Sequence, residues 1–289
     1  MNEIPSESAF LFPGQGSSVA EAGPLVAEFC GDLAEHCRAA VGDDPFARAL
    51  DSTRFAQPAI FLASLAGWRS LDEPRAVAFA GHSLGELSAL AAAGGLDAYD
   101  ALELVILRGA LMAEAADRAR DGGMLAVIKA TVEQAQQLAD TYGVTLANDN
   151  APGQVVLSGR GSSLKEAAAG ARTIGVRAIV LDVAGAFHSP DMASACPSFR
   201  RALGKATVRE TSAPVISGLT ARPFTDVRGQ LAAALTRPVR WRETMTALEA
   251  AGARAFVDVG PDQVLARLVP RNLPEHKGIS IGELHGVHA

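Results

Sequence analysis

Gly81-His82-Ser83-Leu84-Gly85-Glu86 follows the apolar run Ala76-Val77-Ala78-Phe79-Ala80 and precedes the helix-forming stretch Leu87-Ser88-Ala89-Leu90-Ala91-Ala92. Strand, G-x-S-x-G turn and helix in that order form a nucleophile elbow, which holds a serine hydroxyl at the tip of a strained turn. Side chains at 81 and 85 would collide where the chain reverses, and glycine avoids the collision. The helix that follows points its first amides at the serine and favours negative charge there. Ser83 is the candidate nucleophile. The competing reading is a glycine-rich turn whose serine merely caps a helix.

An elbow of this kind requires a sheet, and the rest of the chain supplies one. Ala9–Phe12 reads as a first strand running into the glycine-rich turn Pro13-Gly14-Gln15-Gly16-Ser17-Ser18, a place where ligands of open α/β sheets collect. Helices are predicted over 25–41, 58–70 and 98–119, the last preceded by Asp97 as N-cap. From Asp121 the pattern changes to strand 124–128, helix 132–142, strands 144–147 and 154–158, helix 164–174 and strand 178–183. That β-α-β-β-α-β order is a ferredoxin-like unit. The chain then returns with Ala186-Phe187-His188-Ser189, a helix, a strand near 214–216 and a final strand at 256–259. The expected fold is α/β: a hydrolase-like, mostly parallel sheet flanked by helices, with an inserted ferredoxin-like small subdomain. Residues 1–120 plus 185–289 make the large unit and 121–184 the small one.

Composition narrows the function. A chain of 289 residues with 48% hydrophobic content buries a large core, and a net charge of −6 argues against nucleic acid as the main partner. Cys30, Cys37 and Cys196 lack metal-ligand spacing, so no metal is expected, and their odd number suits a reducing compartment. Cys30 and Cys37 read as packing residues on one face of a helix. No apolar run reaches the length of a membrane span, and Met1–Glu7 has no secretory pattern. The expectation is a cytoplasmic protein.

A serine nucleophile needs a base. His82 is fixed beside Ser83 with its ring expected to point away, His36 lies on a surface helix among acidic neighbours, and His276, His285 and His288 fall in a tail expected to fray. His188 is left, downstream of the serine as in hydrolase-like elbows. On chemistry alone it is equally well a buried histidine satisfied by backbone.

Phe12-Pro13-Gly14-Gln15-Gly16-Ser17, Gln57-Pro58, the elbow, Arg108-Gly109-Ala110-Leu111-Met112, Asn148-Asp149-Asn150-Ala151-Pro152-Gly153-Gln154, Ala186-Phe187-His188-Ser189, Pro238-Val239-Arg240-Trp241 and Val259-Gly260-Pro261 occur in one order. Together they resemble the malonyl-CoA:acyl-carrier-protein transacylases and the stand-alone acyltransferases of polyketide synthases. The resemblance covers nearly the whole chain. It implies that Ser83 attacks an acyl-CoA thioester, that His188 serves as base in a Ser-His dyad without a third carboxylate, and that the backbone amides of Gln15 and Leu84 form an oxyanion hole.

The same resemblance implies substrate contacts at Arg108, Met112, Phe187 and Gln57. Spacing alone would make Arg108 a surface residue of an amphipathic helix; the resemblance makes it a fork for the carboxylate of a malonyl group. Phe187 and Leu84 resemble malonyl-selective members. The chain departs from the family at Ser18 and Ala234, where glutamine is common, and at Gly218, where asparagine is. Acyl-CoA is the implied donor and no bound cofactor is implied. An acyl carrier protein is the implied partner, discrete or within a polyketide or fatty-acid assembly line, and the enzyme itself a monomer. Basic candidates for the carrier's docking are Arg160, Lys165, Arg172 and Arg177, or Arg267 and Arg271. An editing hydrolase, or a transferase of larger acyl or aminoacyl groups between carriers, are the alternatives.

Overall fold

In a computed structural model, which describes residues 2–286, the first strand, β1 (Ser8–Phe12), is buried along its whole length. Helices α1 (Gly23–Val41) and α2 (Thr53–Arg69) follow, then β2 (Ala78–Gly81), α3 (Gly85–Ala92) and α4 (Ala98–Ala119). A second group comprises β3 (Gly122–Ile128), α5 (Val132–Tyr142), β4 (Thr145–Ala151), β5 (Gln154–Arg160), α6 (Gly161–Thr173) and β6 (Arg177–Leu181). The chain closes with α7 (Cys196–Leu203), β7 (Val215–Ser217), β8 (Arg222–Pro223), α8 (Val227–Ala234), α9 (Trp241–Ala250), β9 (Ala255–Asp258), α10 (Val269–Asn272), β10 (Gly278–Ser280) and α11 (Ile281–His285).

Two sheets result. The larger has the order β10-β9-β1-β2-β7-β8. It is parallel throughout except for β8, which pairs antiparallel with β7. Its central strands are apolar on both faces, as strands covered by helices on either side must be. Phe10 packs against Trp68 with ring centroids 4.7 Å apart, and Phe79 lies 5.3 Å from the same indole. This aromatic cluster locks α2 onto β1 and β2. The smaller sheet is antiparallel, in the order β4-β5-β3-β6, with α5 and α6 packed on its apolar face. That strand order is that of a ferredoxin-like unit.

Three local expectations need correction. The helix predicted from Pro58 begins five residues earlier, because Ser52 caps it by accepting the Arg54 amide. Pro58 sits inside, and the buried surroundings of α2 outweigh the one hydrogen bond it forfeits. Strand 256–259 is not the last: β10 pairs with β9 and extends the sheet. Its three residues are too few for a readable period. Consequently the tail does not fray through 286. His276 packs on Phe256 with its Nε2 3.0 Å from Glu249, and the His285 ring meets the Ser70 hydroxyl at 3.2 Å. His288 lies outside the described residues. Cys30 and Cys37 are free and buried in the core, where burial pushes the Cys37 thiol up to about 12.

Candidate active site

At the C-terminal end of β2 the chain reverses into α3 within four residues. Ser83 takes φ 55°, a left-handed conformation that an L-residue adopts only under constraint. The constraint is steric. A Cβ on Gly81 would overlap the backbone of Gly85, and one on Gly85 would overlap the carbonyl of Phe12. Gly81→Ala is therefore expected to destabilise the fold by about 3 kcal/mol, read as a lowered urea midpoint. Gly218→Ala, whose Cβ would meet only ordinary contacts at 3.5–3.7 Å, should change it by less than about 0.5 kcal/mol.

His188 arrives from a different part of the chain and also holds a left-handed backbone, φ 58°. The segment before it is braced by the Ser189 hydroxyl, which donates to the Ala186 carbonyl at 2.6 Å. The imidazole Nε2 is 2.7 Å from Ser83 Oγ. Its Nδ1 lies 2.9 Å from the carbonyl of Ala234 and 3.1 Å from that of Arg237. Carbonyls only accept, so Nδ1 carries the proton and Nε2 presents a lone pair to the serine hydroxyl. Side chains at 218 and 234 are not needed for this arrangement.

Arg108 is 5% exposed, far from the surface role that helix spacing alone allows. Its Nη2 donates to Ser83 Oγ at 3.0 Å and its Nη1 to Gln57 Oε1 at 2.6 Å. The Gln57 amide in turn donates to Thr53 Oγ1 at 2.8 Å and to the Met112 sulfur at 3.3 Å, and the Thr53 hydroxyl donates to Gln15 Oε1 at 2.7 Å. Thr53 lies ahead of the helix start that the sequence predicts; with α2 beginning there, it is one turn before Gln57. Gln15, Gln57, Ser83, Leu84, Arg108, Met112, Phe187 and His188 line one cavity of 320 Å³. Among the described residues, the amides of Gln15 and Leu84 donate to no protein acceptor. Ser18 lies aside, its amide held by Asp262 at 2.9 Å.

Burial shapes the electrostatics. Desolvation, helped by the neighbouring guanidinium, pushes His188 down to about 3, and desolvation pulls Arg108 down to about 10. Glu86, one turn past Ser83, is pushed up to about 7 by burial although its Oε1 accepts the Gly218 amide at 2.8 Å. The Gly218 carbonyl accepts from the Arg240 amide at 2.8 Å, which links Glu86 through Gly218 to the segment just after the carbonyls that hold His188. A lowered imidazole pKa keeps the base neutral as pH falls. Formation of a serine adduct in single turnover should stay flat from pH 8 to pH 5, where a base of ordinary pKa 6.5 would lose about thirtyfold.

His82 turns its Nε2 to Asn150 Oδ1 at 2.8 Å and packs 5.4 Å from Trp241; its ring borders the cavity rather than leaving it. His36 pairs with Glu103 on the surface.

Comparison with known proteins identifies the family. Residues 32–288 match the family model described as an acyl transferase domain. The chain is 38% identical over 97% of its length to the polyketide biosynthesis protein ThaF of Burkholderia thailandensis, and spans about a quarter (25%) of that longer protein. It is 35% identical to the malonyl CoA-acyl carrier protein transacylase of Bacillus subtilis, covering 96% of this chain and 94% of that one. The crystal structure of FabD from Acinetobacter baumannii superimposes with a TM-score of 0.88 at 34% identity, over 98% of this chain and 99% of the other.

Proposed function

The chain belongs to the acyl transferase domain family, and from that premise we propose that it moves a malonyl group from CoA to the phosphopantetheine thiol of an acyl carrier protein. The observation that carries this reading is the single hydroxyl of Ser83 held between His188 Nε2 and Arg108 Nη2. In the first half-reaction the Ser83 proton passes to His188 while Oγ bonds to the thioester carbon. The oxyanion that forms is met by the free amides of Leu84 and Gln15. The C–S bond then breaks, and the departing CoA thiolate recovers the proton from His188. The carrier's thiol reverses the sequence and takes the malonyl group.

Arg108 sits where the free carboxylate of the acyl group would lie, and Gln57 holds its planar fork in orientation. Phe187, 5% exposed beside His188, crowds the α-carbon of a branched acyl group. Steric selection of this kind is worth about 1–3 kcal/mol. A cavity closed by Arg108, Gln57 and Met112 also disfavours a bulky acyl or aminoacyl substrate.

The similarity to ThaF favours a carrier in a polyketide assembly line. Arg267 and Arg271 are exposed, and Asn272, next to Arg271, donates at 3.0 Å to the carbonyl of Asn150, which lines the cavity. The cluster at Arg160, Lys165, Arg172 and Arg177 is exposed on the small sheet and its helices. Incubating the protein with malonyl-CoA and a phosphopantetheinylated carrier should yield malonyl-carrier. Reversing both charges, Arg267→Glu with Arg271→Glu, should slow that transfer about tenfold at low salt and leave loading of Ser83 from CoA intact. Transfer to no carrier, with water as the only acceptor, would refute the transferase reading.

A further inference from the structure

β4 is an edge strand of the small sheet, and a residue from the connection between α8 and α9 occupies that edge. The Val239 amide donates to the Ala147 carbonyl at 2.9 Å and the Asp149 amide donates to the Val239 carbonyl at 2.9 Å, which makes a parallel bridge opposite Asn148. Beside the bridge, Arg242 in the first turn of α9 reaches the Asp149 carboxylate, with Nε 2.9 Å and Nη2 2.8 Å from the same oxygen, Oδ2. The other oxygen, Oδ1, is shut off from solvent and has no hydrogen-bond partner among the described residues. Asp149 is 5% exposed, and Arg242 is its one direct ion-pair partner among the described residues. Desolvating Asp149 offsets much of its attraction to Arg242, so the pair contributes an arrangement more than net stability.

The arrangement it fixes is that of the base. The Arg237 carbonyl, 3.1 Å from His188 Nδ1, lies two residues before Val239. Pro238 between them locks its own φ and restricts Arg237 before it, so a shift at Val239 reaches the Arg237 carbonyl instead of being absorbed. On the far side, the Arg240 amide donates to the Gly218 carbonyl just past β7. The segment is thus pinned at Val239, at Arg240 and at Arg242 in close succession. The ring depends on this, because the proton that Nδ1 gives to the carbonyls of Ala234 and Arg237 keeps the Nε2 lone pair aimed at Ser83.

We infer that Asp149 is a positioning residue for His188: through Arg242 and Val239 it fixes the segment whose Arg237 carbonyl orients the imidazole. The inference rests on the proposed function, in which His188 accepts the Ser83 proton. The small sheet thereby sets the geometry of a dyad to which it contributes no side chain.

The test is single-turnover loading of Ser83 from malonyl-CoA, read as a maximal rate and a half-saturating concentration. Asp149→Ala should lower the maximal rate about tenfold and change half-saturation by less than about twofold. Asp149→Asn, which keeps an acceptor for Arg242, should hold the maximal rate within about threefold of native. The decisive comparison is made in a His188→Ala background, where the residual loading should change by less than about twofold on adding Asp149→Ala, because the ring through which Asp149 acts is gone. A further tenfold loss in that background, or an unchanged maximal rate in folded Asp149→Ala, would overturn the inference and make the pair a structural brace. Should the alanine variant fail to fold, replacing both partners, Asp149→Leu with Arg242→Met, removes the ion pair without stranding a buried charge, and the same loss is expected. Loading by the native enzyme without such a loss in the variants sinks this inference alone. Absence of loading in the native enzyme sinks the acyltransferase reading with it.

Discussion

Loading of Ser83 from malonyl-CoA is expected to slow by roughly 10³-fold when His188 is replaced by alanine, within the range that a positioned general base contributes. The geometry leaves little redundancy. Ser83 Oγ has one acceptor for its proton, the Nε2 lone pair at 2.7 Å, and its other close partner, Arg108, can only donate. The carbonyls of Ala234 and Arg237 would remain in place without the ring, so the elbow itself should survive the substitution. Rapid-quench measurement of the acyl-enzyme, beside a thermal melt, separates lost chemistry from lost folding. A slowing of less than tenfold would place the base elsewhere.

Arg108→Ala should change selectivity more than any other substitution in the cavity. A buried guanidinium that makes two charge-assisted hydrogen bonds to a carboxylate contributes about 1.5–3 kcal/mol for each. Malonyl loading should therefore fall by roughly 10²–10⁴-fold. Acetyl loading should fall far less, though not to zero effect, because Nη2 also donates to the nucleophile at 3.0 Å. Lysine should not restore the malonyl rate, since an ammonium cannot reproduce the planar fork that Gln57 holds. The informative quantity is the ratio of malonyl to acetyl kcat/KM. An unchanged ratio would remove Arg108 from substrate recognition.

Both residues act within a site that excludes water from its charges. In the proposed reaction, the depressed pKa of His188 makes an imidazolium unstable where it stands, which favours rapid return of the proton to the leaving thiolate. Glu86 moves in the opposite direction. Its carboxyl is raised by burial, so the stability associated with the protonated form is present below the ordinary carboxylate range and is lost as pH rises through about 7.

The elbow was legible because its chemistry is local: two glycines, a serine and the change from strand to helix all fall within a dozen residues. Helix 98–119 was legible for the same reason, with the polar cap Asp97 at its start, and the structure adds Thr131 as the cap of helix 132–142. The split β-α-β-β-α-β order was legible because each of its six elements lies within one continuous stretch of about 60 residues, from β3 to β6. What escaped was non-local. Strand β10 is three residues long and exists only because β9 offers an edge. Thr53 joins the site through a helix start that Ser52 decides, and Glu86 acts through Gly218 and Arg240, far along the chain. The burial of Arg108 is likewise a consequence of α4 packing on α2, which helical spacing alone cannot assign to an interior face.

Intact-protein mass spectrometry after brief exposure to malonyl-CoA tests the central claim most directly. The account predicts a gain of one malonyl group, located by peptide mapping at Ser83 and absent from Ser83→Ala. An unmodified protein, or an adduct that persists in Ser83→Ala, would contradict it.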